Sequence, residues 1–380
     1  MVMLLEDPVN RLIGYKALHG FAVGLISIFI PVYLSQAGFS PTVVFSFLLA
    51  DVATFAAVSL PAGYAVSRIG MRYSLLASSL LYVTAFAALQ SFTTTLALAY
   101  GVAALIGFAK AFHWIPVNAE FTAGSERERR GEKYGRLEAL PSLLGPFAPL
   151  LGGAILKFLG FGTLVAVSVA FALASVLPLL PGKNILSPDF DISGLASTEQ
   201  LDLWALYFLD GFATTAYVFL FPLFIYYVIG GALNVGGVKT VAGIGAALFA
   251  LGTGNLSDRV GKTRLVSAGA AASALTYLLV PFIQTRSVAF TLSFFAGLTY
   301  MFYTIPLVSM IADIAEDENL LGFFSVREVF QGFGKIAVVA VTVTMLVQGS
   351  MADAFRVTFY LASASVLLLA LVARKIDRRR

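Results

Sequence analysis

A small set of ionisable and polar side chains interrupts the long apolar stretches of this chain, and these groups could carry protons or bind a charged solute. A carboxylate in an apolar environment can alternate between its protonated and ionised forms, and histidine titrates near neutral pH. Lysine, tyrosine and glutamine side chains could bind an anionic group or orient a carboxylate. These residue types predict a proton-coupling or solute-binding set, which consists of Asp210, Glu138, Glu328, His19, His113, Lys110, Asp51, Tyr217 and Gln331.

Members of this set also have a purely structural interpretation. Glu328 could form a static ion pair with Arg327 or Lys335, and a buried histidine is commonly a hydrogen-bonded core residue. A metal site made of both histidines and a carboxylate is chemically allowed. No spacing in the sequence indicates that these groups converge, so we predict neither a metal site nor a cofactor. The chain contains no cysteine, which excludes disulfides and thiol chemistry.

The composition indicates the environment of these groups. Of the 380 residues, 59% are hydrophobic and 12% are charged, and the mean hydropathy is +0.88. Soluble domains are about a quarter charged, so this chain has too few polar side chains to cover a soluble core. The sequence has no Gly-Lys-Ser/Thr phosphate loop, which argues against an ATP-driven pump. The expected partner is the lipid bilayer rather than nucleic acid, and the basic tail 374–380 is interpreted as a headgroup anchor.

Apolar runs long enough to cross a bilayer recur throughout the chain. A helix needs about 20 apolar residues to cross a ~30 Å hydrocarbon core. The polar, Pro- and Gly-punctuated segment 181–200 is the only sizeable connection. We predict an all-α integral membrane protein with a six-helix bundle at 1–180, a cytoplasmic linker at 181–200 and a second six-helix bundle at 201–380. The twelve predicted spans are 10–34, 42–66, 72–91, 94–121, 133–157, 161–180, 201–229, 237–256, 264–284, 287–312, 321–348 and 354–373.

The basic residues are concentrated in alternate loops, and this distribution predicts the orientation. With the amino terminus inside, the inner segments contain Arg68, the cluster 127–136 and the tail 374–380, whereas the outer segments contain few basic residues. Cytoplasmic loops of membrane proteins carry an excess of Lys and Arg. We therefore predict a multi-pass protein of the cell membrane with both termini in the cytoplasm.

The second half of the chain repeats the first at a nearly constant offset. Gly63 and Gly254 are 191 positions apart, as are the prolines of "FIPVY" and "FPLFI". An offset of 190 aligns "FHWIP" at 112–116 with "FYTIP" at 302–306. Several matches in the same order, with the same number of spans in each half, predict two parallel six-helix repeats. Such repeats are typical of transporters in which two halves rock about a central site.

A charged turn in the second half resembles a known signature. The stretch "GNLSDRVGKTR" at 254–264 is similar to the loop between the second and third helices of a half in the major facilitator superfamily. The resemblance covers the whole chain and implies a loop that closes the cytoplasmic side in one state, here called the cytoplasmic latch. Ser67 departs from the pattern, because the family has Asp there. The latch residues implied are Gly254, Asp258, Arg259, Gly261, Lys262 and Arg264, with Gly63, Arg68, Gly70 and Arg72 in the first half.

The fifth predicted span contains a second, partial resemblance. Gly145, Pro149, Gly152 and Gly153 in "GPFAPLLGG" resemble the Gly-Pro-x-x-Gly-Gly element of the family's antiporters, with Ala148 in place of one glycine. The alternative interpretation is that these are ordinary small residues at which helices pack closely.

The family resemblance implies a secondary transporter, acting as a monomer, that moves a small solute by alternating access. The favoured version is proton-coupled export of amphipathic or hydrophobic compounds. A sugar or organic-anion symporter or uniporter is the alternative, and a membrane sensor, a scramblase or a metal-ion transporter are further ones. No set of catalytic residues is present, so we do not expect an enzyme.

Overall fold

The computed structural model describes residues 8–89, 95–126, 129–134, 137, 141, 145–181, 184, 189–196 and 200–379. Every regular element in these residues is a helix, because a backbone inside lipid must pair its polar groups within its own segment. Among the described residues, eleven helices are long and apolar enough to cross a membrane, and one shorter apolar helix lies in the fifth predicted span. The predicted all-α membrane architecture is confirmed.

The helices of the first half follow the predicted spans, except that the first span is interrupted near its middle. Their bounds are Pro8–Ile26 and Phe29–Gln36 for the first span, Pro41–Ile69 for the second, Met71–Ala88 for the third, Leu96–Ala123 for the fourth, Phe147–Phe158 within the fifth and Phe161–Ala174 for the sixth.

The second half contains longer helices. The eighth span begins at Ala232 rather than at 237. The bounds are Leu201–Thr215, a π-helical segment Ala216–Leu220 and Phe221–Ile229 for the seventh span, Ala232–Val260 for the eighth, Lys262–Leu279 for the ninth, Arg286–Ala315 for the tenth, Leu320–Gln348 for the eleventh and Met351–Arg379 for the twelfth.

Close contacts of helix backbones bring the two halves together. A Cβ atom at Gly63 of the second span would collide with the side chain of Ser325 on the eleventh. A Cβ atom at Gly332 of the eleventh span would likewise collide with Ala56 of the second span, so these two spans approach each other closely at two levels. Only glycine permits a backbone approach this close, and the second and eleventh spans therefore form one main contact between the halves.

The segment between the halves is hydrogen-bonded to both of them. Asn184 donates from Nδ2 to the carbonyl oxygen of Ile69 at 2.8 Å, at the end of the second span. Asn319, which caps the start of the eleventh span through its Oδ1, donates from Nδ2 to the carbonyl oxygen of Asp189 at 2.9 Å. The described part of the linker thus lies across the ends of the second and eleventh spans.

Candidate functional site

A cavity of about 340 Å³ lies between the two halves. Ligand sites in proteins have volumes of about 300–1,000 Å³, so the cavity can contain a small solute. Its surface is mainly apolar and aromatic, with charged side chains from the second, fourth, seventh and eleventh spans. The charged lining residues are Asp51, Lys110, Asp210, Arg327, Glu328 and Lys335, and the aromatic ones are Phe47, Phe55, Tyr82, Phe86, Trp114, Tyr134, Phe219 and Tyr300.

Asp51 and Lys110 form an ion pair on the first-half side of the cavity. Gly107, one turn before Lys110, lets the fourth span approach the backbone of the second span at Asp51, which places the two side chains together. Asp51 is 3% exposed and uses Oδ2 for this contact. Its Oδ1 atom is buried and has no hydrogen-bond partner among the residues that the structure describes. This carboxylate therefore has one oxygen bound to a cation and one oxygen available for a proton.

Arg327 lies between two carboxylates on the second-half side. Its guanidinium donates to Glu328 at 2.7 Å and lies 3.9 Å from Asp210. Asp210 also accepts from Gln331 at 2.7 Å, and Glu328 accepts from Asn118 of the fourth span at 3.3 Å. The ion pair between Glu328 and Arg327 that the sequence allowed is present. One cation serves two acids here, so a proton on either acid would balance the charge of the group.

Glycines again explain this arrangement. A Cβ atom at Gly211 of the seventh span would collide with the carbonyl oxygen of Gln331, and one at Gly334 of the eleventh span would collide with that of Phe208. The seventh and eleventh spans therefore pack backbone to backbone. This close packing brings Asp210 within hydrogen-bond distance of Gln331.

Lys335 is the exception among the charged groups of the lining. Its Nζ atom lies 4.2 Å from the centre of the Phe55 ring, a distance at which a cation interacts with the ring face. Lys335 forms no ion pair with any residue in the described part of the chain. The nearby acids, Asp210 on the seventh span and Glu328 on the eleventh span itself, are paired with Arg327 instead.

The first and seventh spans are irregular at equivalent positions beside the cavity. Helix geometry is interrupted at Ser27 and Ile28 in the first span, and the π-helical segment of the seventh span includes Val218. Ser27 and Val218 are 191 positions apart, the offset of the repeat, and both line the cavity. Irregular turns of this kind occur often at functional sites and in the discontinuous helices of transporters.

The fourth and tenth spans also present equivalent positions to the cavity. At an offset of 190 positions, three of the four lining residues of the fourth span correspond to lining residues of the tenth, and Ile106 is the exception. The three pairs are Lys110 with Tyr300, Trp114 with Thr304, and Asn118 with Val308. The cavity therefore uses the same face of the fourth span and of the tenth. The fourth span contributes a charged lining residue, Lys110, whereas the lining residues of the tenth span are uncharged.

His19 and His113 converge, although no sequence spacing indicated it. Their rings are stacked with centroids 4.5 Å apart, and the Tyr15 hydroxyl lies 2.9 Å from Nδ1 of His113. Neither histidine lines the cavity, because Tyr82 and Trp114, which do, contact the histidine rings from the cavity side. In the described residues, no group of three or more His, Asp or Glu side chains is placed to bind a metal ion.

Tyr217 likewise lies behind the lining. Its ring is stacked on that of Tyr300, a lining residue, with centroids 4.4 Å apart. Lys239 of the eighth span lies 5.1 Å from the centre of the Tyr217 ring and donates to the carbonyl oxygen of Val218 at 3.2 Å. This hydrogen bond satisfies a carbonyl of the π-helical segment, so Tyr217 belongs to the packing that supports the irregular turn.

Contacts between the halves lie on both sides of the cavity. At the end of the first span, Ser35 is hydrogen-bonded to Tyr227 of the seventh span at 2.8 Å. On the side predicted to be cytoplasmic, Arg130 of the first half donates to Asp313 of the tenth span at 2.7 Å and to Glu316 at 3.3 Å. Both ends of the cavity are therefore bounded by polar contacts that link one half to the other.

The sequence profile of the Major Facilitator Superfamily matches residues 13–194 and 203–380. The chain belongs to the major facilitator superfamily. A crystal structure of the human organic anion transporter MFSD10 (TETRAN) is similar in fold, with a TM-score of 0.71 and 15% sequence identity over 96% of this chain and 98% of that chain. No match was found among curated protein sequences. The protein is thus a multi-pass membrane transporter, and not an enzyme.

Within this superfamily fold, part of the second-half latch can be described. Gly261 has φ +102° and joins the eighth and ninth spans, a backbone conformation that favours glycine. Lys262 forms an ion pair with Asp313, the acid that also accepts from Arg130. Arg259 and Arg264 are exposed. The surroundings of Gly254 and the side chain of Asp258 lie outside the described part of the structure, so the predicted roles of these two residues stay predictions.

The first-half copy of the superfamily loop uses a different partner. Gly70 has φ +90°, and a Cβ atom there would collide with the side chain of Asn184 from the linker. Among the described residues, the hydrogen bond of Ser67, at the position where the family has an acid, is to the carbonyl oxygen of Tyr64 in the same helix. Arg68 donates to the Tyr64 hydroxyl at 3.2 Å, and Arg72 lies 5.8 Å from the centre of the Tyr73 ring.

The small residues of the fifth span pack against the first span of the same half and against the eighth span of the other half. Gly152 packs against the carbonyl oxygen of Leu25 in the first span, and Gly153 packs against that of Ala232 in the eighth span. Gly236 packs in turn against the carbonyl oxygen of Pro149, while Gly145 donates to the carbonyl oxygen of Pro141 at 2.6 Å. Pro149, Gly152 and Gly153 therefore take part in close packing between helices, whereas the Gly145 hydrogen bond lies within its own segment. The antiporter role of this element stays a prediction.

The structure adds residues that sequence analysis did not single out. Arg130 and Asp313 form the contact between the halves, and Asn118 links the fourth span to Glu328. Arg130 lies in a basic cluster that the orientation rule alone explains, so no signal distinguished it. The repeat offset could have found Asn118, because it aligns with Val308 on the same lining face. Glu138 lies outside the described residues.

Proposed function

We propose that this chain is a proton-coupled secondary transporter that moves an amphipathic solute across the cell membrane by alternating access. The observation that carries the proposal is the cavity between the halves, in which buried acids are bound to cations from neighbouring spans. An apolar lining suits the body of an amphipathic solute, and charged groups suit its head. Ionisable residues inside a membrane are costly and are commonly functional.

In this proposal, Asp51 and the pair of acids on Arg327 carry the protons. Within the described part of the chain, one buried oxygen of Asp51 has no hydrogen-bond partner, and Asp210 and Glu328 share one guanidinium. A buried acid is stabilised in its ionised form by a nearby cation, so a movement that separates the two favours protonation. Rocking of the halves changes such distances, because Glu328 is also bound to Asn118 of the other half.

The arrangement of the chain is part of the same proposal. Residues 1–180 and 201–380 act as the two rocking units, joined by 181–200, in a monomer with both termini in the cytoplasm. Support comes from the basic loops, which follow the charge bias of cytoplasmic segments. Export in exchange for protons, which the sequence favours, requires that solute and proton compete for one carboxylate, and it stays a prediction.

The test uses purified protein in lipid vesicles that contain a pH-sensitive dye. A thermal-shift screen at two pH values, over organic cations, organic anions, sugars, amino acids, lipids and divalent metals, first identifies a stabilising solute. Adding that solute should then move protons across the vesicle membrane in wild-type protein. The direction of proton movement relative to the solute distinguishes antiport from symport.

Substitutions of the proposed proton-carrying acids, compared with substitution of an exposed acid, show whether the coupling depends on the cavity. Asp51→Asn and Asp210→Asn should abolish solute-driven proton movement but preserve exchange of labelled for unlabelled solute. Asp353→Asn is the matched control, because Asp353 is an exposed acid that pairs with Arg356 at the start of the twelfth span, and it should behave as wild type. Solute movement without any proton movement in wild-type protein would contradict the coupling, and binding without movement would indicate a sensor.

A further inference from the structure

Lys335 is the starting point for an inference about the solute, which rests on the proposed transport function. Among the charged groups that line the described part of the cavity, Lys110 is bound to Asp51, and Arg327 is bound to Glu328 and lies near Asp210. Lys335 contacts only the Phe55 ring among the contacts described above. A buried charge is stable when it is paired, and Lys335 is the lining cation that has no ion-pair partner among the described residues, so an anionic group of the solute could supply that partner.

Lys335 of the eleventh span and Lys110 of the fourth span both contact the same face of the second span. Lys110 contacts Asp51, and Lys335 contacts Phe55, four residues further along the same helix. Four residues correspond to a rise of about 6 Å. The fourth span and the eleventh span therefore each present an ammonium group to one turn of the second span. These two spans belong to different halves.

Aromatic rings complete the surroundings of both ammonium groups. The Nζ atom of Lys110 lies 4.9 Å from the centre of the Phe219 ring, which belongs to the irregular part of the seventh span. Phe55 lies under Lys335, and both rings line the cavity. An acidic solute with an aromatic or aliphatic body would thus contact cations and rings from both halves at once.

We propose that the transported solute carries a carboxylate or sulfonate group, which binds between Lys335 and Lys110 while its apolar body lies against Phe55 and Phe219. The anion replaces Asp51 as the partner of Lys110. Asp51 then lacks a cation, which favours its protonated form, so the anion and the proton travel together. This symport differs from the antiport that the sequence favours.

Other charged and titratable groups that line the cavity with Asp51 contribute to its net charge. They are Tyr82 from the third span, Lys110 from the fourth, Asp210 from the seventh, Tyr300 from the tenth, and Arg327, Glu328 and Lys335 from the eleventh. With the acids ionised and Lys335 charged, these groups and Asp51 carry no net charge. An arriving anion therefore adds one negative charge, which one proton balances.

Binding measurements on the purified full-length protein test the inference without requiring transport. The probes are radiolabelled 2-naphthoate and 2-naphthalenesulfonate, with 2-naphthylmethylammonium as the cation of matched shape. We expect saturable binding of both acids and not of the amine. Lys335→Gln should weaken binding of the acids about 10- to 100-fold, because it removes one charged hydrogen-bond donor. Lys335→Arg should retain binding, because it restores the charge.

The controls address folding and nonspecific attraction. Lys157→Gln should bind as wild type, since Lys157 is an exposed lysine that also lies over a ring, that of Phe158. Lys335→Met is the second uncharged variant if Lys335→Gln does not elute as a folded protein. Binding of the amine in preference to the acids would overturn the inference, as would acid binding that is equal in wild type and Lys335→Gln, or no saturable binding of either acid.

The two proposals fail separately. If the acids bind through Lys335 but move without protons in vesicles, the anion site stands and the coupling is wrong. If a solute moves protons but the acids bind without dependence on Lys335, the coupling stands and the anion site is wrong.

Discussion

Arg130 of the first half donates a hydrogen bond of 2.7 Å to Asp313 of the second half, and no part of the Arg130 side chain is exposed. The same acid is the partner of Lys262 in the latch. One carboxylate therefore joins a basic residue from each half, on the side of the cavity predicted to be cytoplasmic. Removing a partner from a buried ion pair costs about 3–5 kcal/mol, which is enough to change the population of a closed state.

Arg130→Gln should open this side of the cavity. The chain has no cysteine, so Ser27→Cys provides a single thiol in the lining. We expect a membrane-impermeant thiol reagent, added from the cytoplasmic side, to label this cysteine about tenfold faster in the Arg130→Gln background, because the closed state loses its ion pair. Arg129→Gln is the matched control, since Arg129 is exposed and pairs with Glu132 only in its own segment. Equal labelling rates in both backgrounds would exclude Arg130 from closure.

The Asp51 and Lys110 pair predicts a non-additive effect on stability. Lys110→Met leaves a buried carboxylate without its cation, and Asp51→Leu leaves a cation without its acid. Each single substitution should lower the melting temperature more than the double substitution does, because the double variant contains no unpaired charge. Thermal unfolding of the purified variants measures this. Additive losses would show that the two residues do not depend on each other.

Gly63 predicts a steric requirement at the contact of the second and eleventh spans. A Cβ atom there would collide with Ser325, so Gly63→Ala should destabilise the closed state by about 1–3 kcal/mol. Solute exchange should slow, and Ser325→Gly should restore much of the rate by removing the colliding side chain. Gly101→Ala has open space around its new methyl group and should exchange as wild type. A normal rate in Gly63→Ala would show that the spans separate easily at this level.

The stacked pair of His19 and His113 lies outside the cavity lining, so we predict that it does not carry the coupled proton. His19→Phe keeps an aromatic ring in the stack with His113, and neither residue lines the cavity. We therefore expect the pH profile of transport to be unchanged in His19→Phe and flattened in Asp51→Asn. Initial rates between pH 5 and 9 provide the comparison. A shifted profile in His19→Phe would assign the coupled proton to the histidines.

Sequence reasoning succeeded where the signal is local or repeats along the chain. Apolar runs predicted the spans, and the charged groups noticed within those runs include Asp51, Lys110 and Asp210, which lie along the cavity, while their predicted role in coupling stays a prediction. It did not predict which of these groups pair, because Lys110 and Asp51 are 59 residues apart and the pairing depends on helix packing at Gly107. Periodicity gives the face of a helix, but not its neighbour.

The contacts between the halves could not be predicted from the sequence. Arg130 and Asp313 are 183 residues apart, and neither departs from what positive-inside loops and helix ends ordinarily contain. The convergence of His19 and His113 has the same origin, because it depends on how the first span lies against the fourth. Lys335 corresponds to Gly145 in the repeat, so the cation of the second half has no counterpart that the duplication could reveal.

The linker has a mechanical consequence for the motion of the halves. Asn184 is hydrogen-bonded to the first half, and Asp189 is hydrogen-bonded to Asn319 of the second. An extended chain covers at most about 3.5 Å per residue, so the five steps between these residues reach no further than about 18 Å. Beyond that separation, the hydrogen bond of either Asn184 or Asn319 must break. If the halves rock as proposed, the linker acts as a tether whose contour length limits how far they separate, and a wider opening requires one of these hydrogen bonds to break.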